Sequence, residues 1–142
     1  MQNTIKQLEA PRIALRLTFG LVPLLAGLDK FTYLLTDWSA YVAPIARSVL
    51  PVAPETFLYV VGIVEILVGL AVLTRWTVIG SYAAAVWLTL VAGNLALAGF
   101  FDVAVRDLAM VVAAFTLARL TELHDAAKEH VVHQATRSRV AA

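Results

Sequence analysis

One carboxylate, Glu65, interrupts residues 57–74, FLYVVGIVEILVGLAVLT, a stretch otherwise apolar, small or aromatic up to its closing Thr74. A run of that length and character is long enough to cross a membrane. A carboxylate near its middle is costly there and requires a partner or a watery cavity, so it marks a functional site by default. Gly62, Glu65 and Gly69 recur at i, i+3 and i+7, on one helical stripe. The glycines let a neighbouring helix approach closely, directly beside the acid.

The rest of the chain agrees with a membrane setting. Its 142 residues suit one domain, 1–142. Of these, 61% are hydrophobic and 15% charged, and the mean hydropathy is +0.81. Ordinary soluble domains hold ~45–50% apolar and about 25% charged residues. The fold class expected is all-α: an integral membrane four-helix bundle. A net charge of +1 with no basic patch gives no reason to expect nucleic acid. The absence of cysteine removes disulfides, thiol relays and cysteine metal sites.

In order, residues 1–11 form a polar lead-in ending at Pro11, a residue suited to the first turn of a helix. Span one covers about 12–35. On it Arg16, Gly20, Pro23, Gly27 and Lys30 make one stripe, with a kink expected near Pro23. The basic flank before this apolar stretch resembles a signal peptide, but no small-residue cleavage pattern follows, so an uncleaved first helix is expected. Residues 36–54 are too polar to span. Trp38, Tyr41, Ile45 and Val49 share a helical face there, which predicts a short interfacial helix between spans one and two. Spans two, three and four cover about 57–74, 77–101 and 103–121, and a cytoplasmic tail follows at 122–142.

Basic residues set the orientation. Lys6, Arg12, Arg16, Arg75, Arg119, Lys128, Arg137 and Arg139 fall on one side, and Lys30, Arg47 and Arg106 on the other. That predicts a cytoplasmic (inner) membrane protein with both termini and Arg75 inside, and Ser39, Arg47 and Asp102 outside. Arg16 and Arg119 read as snorkelling charges.

With this topology, Lys30, Glu65, Asn94, Arg106 and Asp107 all reach the middle or outer half of the bundle, with Asp29 close by. They are the candidate ligand-binding residues. Such groups can be, in falling order of expectation, buried pairs that fix helix register, a ligand pocket opening outward beneath the interfacial helix, or a proton or ion path. His124, His130 and His133 all lie in the tail, so none can ligate a haem inside the membrane, and for the i, i+3 pair His130 and His133 a solvated helix face outweighs a metal site.

Several short pieces are similar to the DoxX-like family of small four-span membrane proteins: Arg16 with Gly20, Gly27-Leu28-Asp29-Lys30-Phe31, Gly62-x-x-Glu65-x-x-x-Gly69, and Arg106-Asp107-Leu108. The resemblance covers about residues 12–121. It implies a left-handed four-helix bundle and a place beside quinone-linked redox enzymes, named members being subunits of a thiosulfate:quinone oxidoreductase. The expected function is therefore an accessory or subunit of a quinone-linked oxidoreductase. Quinone is its ligand, membrane lipid and a redox protein its partners, and no cofactor is covalent. A proton-coupled small-solute carrier and a structural partner of another membrane protein are the rival readings, and a homo-oligomer is compatible with each.

Overall fold

The computed structural model describes residues 2–49 and 51–140. Four long α-helices dominate: α1 (Gln2–Asp29), α3 (Pro54–Leu73), α4 (Thr77–Leu97) and α5 (Phe101–Val140), with a short α2 (Pro44–Val49) between the first two. Helix α1 packs along α3, α3 on α4, α4 on α5, and α5 returns to α1, so the long helices close a ring. Three segments, Gln7–Asp29, Pro54–Leu73 and Thr77–Leu97, are long and apolar enough to cross a membrane. These mark the chain as a membrane protein. Helix α5 falls outside that group because Arg106 and Asp107 bound its apolar stretch on one side and Arg119 on the other.

Small side chains face inward and large apolar ones outward. Phe19, Val68, Val72, Ala84, Ala85, Ala114 and Leu117 form the main core. Leu21, Leu25, Ile63, Leu67, Val86, Leu90, Val112 and Phe115 stand exposed on the outer faces. A large exposed apolar surface signals a non-aqueous neighbour, here the hydrocarbon of a bilayer.

The close approach that each glycine stripe permits is made between the two stripes themselves. A methyl group added at Gly27 would lie 2.5 Å from the Gly62 carbonyl oxygen, and one at Gly62 would lie 2.7 Å from the Gly27 carbonyl. Gly69 stands in the same relation to Gly20, at 2.6 Å from its carbonyl. Helices α1 and α3 are thus in backbone contact at two levels, a spacing only glycine permits.

Several boundaries differ from the sequence expectation. Helix α1 runs straight through Pro11 from Gln2, so this proline lies inside the helix and does not open it. Its other end is Asp29, not residue 35: Tyr33, at φ 53°, turns the chain back on itself. The interfacial segment is not one helix. A 3-10 turn (Trp38–Tyr41) precedes α2, so Trp38 and Tyr41 are partly buried while Ile45 and Val49 are exposed, and the four share no face. The tail is a helical continuation of α5 through Val140. At ~1.5 Å per residue, its 40 residues reach about 60 Å, roughly twice the height of α3 or α4. Gly99, at φ 88°, makes the tight turn from α4 into α5.

Candidate functional site

Lys30 follows the last residue of α1, and its Nζ lies 2.6 Å from Oε2 of Glu65. The side chains are 4% and 12% exposed, respectively. The Gly27–Gly62 contact explains how a lysine reaches so deep: with the backbones touching one turn away, its stem need only cross to the adjacent stripe of α3. The ammonium also sits 3.8 Å from the centroid of the Trp38 ring, so an indole roofs the ion pair. A cation over an indole face gains ~2 kcal/mol or more when desolvated.

Asp29 builds that roof. It is 5% exposed, and its carboxylate accepts hydrogen bonds from the Thr32 hydroxyl, the Leu34 and Leu35 backbone N–H groups and, at 2.8 Å, Trp38 Nε1. One buried acid therefore folds residues 30–38 over the end of α1 and fixes Trp38 above Lys30. Just beyond, the Asp37 side chain caps the 3-10 turn. Hydrogen bonds from the Ser39 hydroxyl and then its backbone N–H hold the Asp37 carboxyl below the ordinary aspartate range.

The five expected residues do not converge. Only Lys30 and Glu65 form a direct pair. Asp107, half-buried on α5, is near enough for its charge to act on Glu65. Asn94 is engaged elsewhere: its Oδ1 accepts from Ala43 N–H at 3.0 Å and its Nδ2 donates to Tyr41 O at 2.7 Å. It thereby pins the buried Val42–Ala43 segment across the C-terminal end of α4, because an amide can satisfy one backbone donor and one acceptor at once. Arg106 points away from the centre, its side chain 76% exposed and its link to Asp102 a loose 3.8 Å. Placing Arg106 in a pocket is therefore corrected: position 106 lies on the outer surface of α5, one helical step round from the inward-facing Asp107.

Three residues play a larger part than their sequence context suggests: Arg16, Trp87 and His124. Arg16 is no simple snorkelling charge. Its guanidinium donates to the Val72, Leu73 and Thr74 carbonyls at 3.0, 2.6 and 2.7 Å, capping the C-terminus of α3. Cations are favoured at that end of a helix, where the last carbonyls lack partners. Trp87, from α4, faces Glu65, but outside hydrogen-bond geometry, so that Nε1 is buried without a partner. His124 is buried, not solvated in a tail, while His130 and His133 are exposed as expected. For Arg16, the spacing Arg16–Gly20 on the α1 stripe is the signal that points to it. For Trp87 there is none.

Two features give the centre chemical capacity. Among the described residues Glu65 Oε1 accepts no hydrogen bond, all of its carboxylate's pairing being through Oε2. Trp87 also lines an open groove of about 530 Å3 between α3 and α4. Among the described residues, no group of three or more His, Asp or Glu is placed to hold a metal ion.

Comparison with family models, with curated proteins and with solved structures yields no match to this chain.

Proposed function

We propose that this chain is a cytoplasmic-membrane protein that crosses the bilayer four times with both termini inside. In this reading it serves quinone-linked electron transfer as an accessory or subunit, as its short DoxX-like motifs imply, the Lys30–Glu65 centre receiving the polar head of a quinone-type lipophile. Support for a fourth crossing comes from α5, whose exposed Val105, Leu108, Val112 and Phe115 continue the apolar outer belt of its neighbours. The basic-residue asymmetry supports the orientation.

The observation that carries the functional reading is the unused oxygen of Glu65. The Glu65 carboxylate is largely buried and bonded to Lys30 through one oxygen, so its second oxygen still has an acceptor site to offer. Lys30 serves Oε2 and leaves Oε1 free, while the Trp87 N–H beside it is a donor without an acceptor. A head group with both a hydroxyl and a ring oxygen fits these two needs: it donates to Oε1 and accepts from Nε1. A quinol has both, and quinone-type molecules also have the apolar chain that a membrane interior demands. Lys30, clamped under Trp38, keeps Glu65 paired and in place.

The test is extraction and mass spectrometry of small molecules that co-purify with the protein in a mild detergent. A quinone-type lipophile at near-stoichiometric amount is the expected result. Phospholipid alone, together with a stably bound protein, would replace this reading with that of a structural partner. Proton-gradient-dependent solute flux in vesicles, without bound quinone, would favour the carrier.

A further inference from the structure

The groove between α3 and α4 originates in one small side chain. On the outward face of α4, Ile79, Val86 and Leu90 are large and exposed, and Ala83 stands among them. A hollow is left at Ala83, walled by Val64 and Val68 of α3 and ending at Trp87. Tyr82 adds a second aromatic wall. Trp87 both lines the groove and lies near enough to the Glu65 carboxylate to act on it.

We propose that this groove is a lateral binding site for a neutral, ring-headed lipophile that arrives from within the bilayer. Its chain lies along Val64 and Val68 and its ring against Trp87. The inference rests on the lipophile reading above, and adds where the molecule binds and from which side it comes. Among the described residues no charged side chain lines the groove, so a charged head would be desolvated there without compensation. Depth narrows the choice further. Trp87 lies ten residues from each end of α4 (Thr77–Leu97), about 15 Å from either. In a hydrocarbon core ~30 Å thick that is the mid-plane, where a phospholipid head cannot follow its chains. A neutral ring can. Flat rings gain by stacking on aromatic walls. A modest turn of the indole, whose N–H has no bond to break, would bring a ring oxygen to Nε1 and the head to Glu65 Oε1.

The experiment uses the full chain in phosphatidylcholine nanodiscs, with a decyl-substituted benzoquinone as the probe in both its oxidised form and its reduced, hydroxyl-bearing quinol form. Binding is read by retained quinone and by quenching of tryptophan emission. Wild type should show saturable binding. Ala83→Phe fills the hollow without touching the ion pair, and should weaken binding tenfold or more. Ala83→Leu serves as the gentler filling if the larger ring disturbs folding. Trp87→Phe keeps the wall but removes the donor, and should lose the saturable quenching and about fivefold to tenfold in affinity, the worth of one hydrogen bond. Wild-type affinity in a folded Ala83→Phe or Ala83→Leu protein would overturn the proposal. So would equal quenching by bromine-labelled phosphatidylcholine that the quinone does not displace, since bulk lipid would then fill the groove. Glu65→Gln separates the two levels of the reading. Normal binding there, with loss at Ala83→Phe, keeps the groove and removes the ion pair from the site. The opposite pattern keeps the ion pair and removes the groove.

Discussion

Replacing Lys30 with methionine should be among the most damaging single changes in this protein, and a second substitution should reverse much of the damage. The methionine keeps the apolar stem and removes the ammonium. Glu65 then remains as an anion 12% exposed at its side chain, with no other cation bonded to it among the described residues. Breaking a buried pair in this way costs ~3–5 kcal/mol, whereas removing both members is often close to neutral. Part of the Lys30→Met loss, up to ~2 kcal/mol, is the contact with the Trp38 ring and will not return. Lys30→Met with Glu65→Gln should therefore recover roughly 1–3 kcal/mol, the difference between these two figures. Lys30→Met with Asp107→Asn should recover little, because Asp107 has no bond to Lys30. The assay is a double-mutant cycle on reversible unfolding in mixed micelles, with both double mutants measured under one condition. Additive losses in the Glu65 cycle would refute the pairing, and a larger recovery with Asp107→Asn would move the partner to α5.

Arg16→Met removes the guanidinium bonds to the Val72, Leu73 and Thr74 carbonyls. It should destabilise the protein by ~1–3 kcal/mol in the same unfolding assay, and a loss near zero would reduce Arg16 to an orientation-setting charge. Gly62→Leu should push α1 from α3 and lower stability by several kcal/mol through overpacking, whereas Gly93→Ala, where a methyl meets nothing within 4 Å, should be neutral. Asn94→Leu frees the Tyr41 and Ala43 backbone groups, so protease cleavage between residues 38 and 49 should accelerate while the helical content holds. For Asp37, the folded carboxyl titrates below its unfolded value. The cap's contribution is therefore complete above the unfolded value and vanishes as pH falls through the folded one. Carbon-detected NMR of Asp37 against pH checks this, and a midpoint at or above the ordinary aspartate value would contradict it.

Features that depend on neighbours along one helix are legible in the sequence. Gly62, Glu65 and Gly69 share a stripe by spacing alone, so that stripe's close approach to another helix follows from the residues themselves. Lys30 is readable as that neighbour's charge because it continues the stripe of Gly20 and Gly27. What escapes the sequence depends on the path of the chain between helices. Asn94 looks like a site residue because a strongly polar group in an apolar span demands a partner, but its partners are backbone groups more than fifty positions away. Trp38 reads as an interfacial aromatic. Its position over Lys30 exists only because the buried Asp29 gathers residues 30–38, and a carboxylate that binds backbone N–H groups leaves no periodic trace. Arg106 and Asp107 are adjacent, and only the rotation of α5 decides which of them turns inward.

The claim that matters most is that Glu65 serves a ligand as well as a fold, and Glu65→Gln tests it with one substitution. Glutamine has nearly the shape of glutamate and can still accept a hydrogen bond from Lys30, but it brings no charge and offers a donor where Oε1 or Oε2 offered only acceptors. Wild type and Glu65→Gln are compared in the same detergent for bound quinone-type lipophile per protein and for thermal stability. The account predicts a variant that still folds, though less stable because the Lys30 ammonium loses its counter-charge, and whose bound lipophile falls several-fold while the protein remains folded. Unchanged lipophile content in the folded variant would contradict it and leave the Lys30–Glu65 pair as a strut.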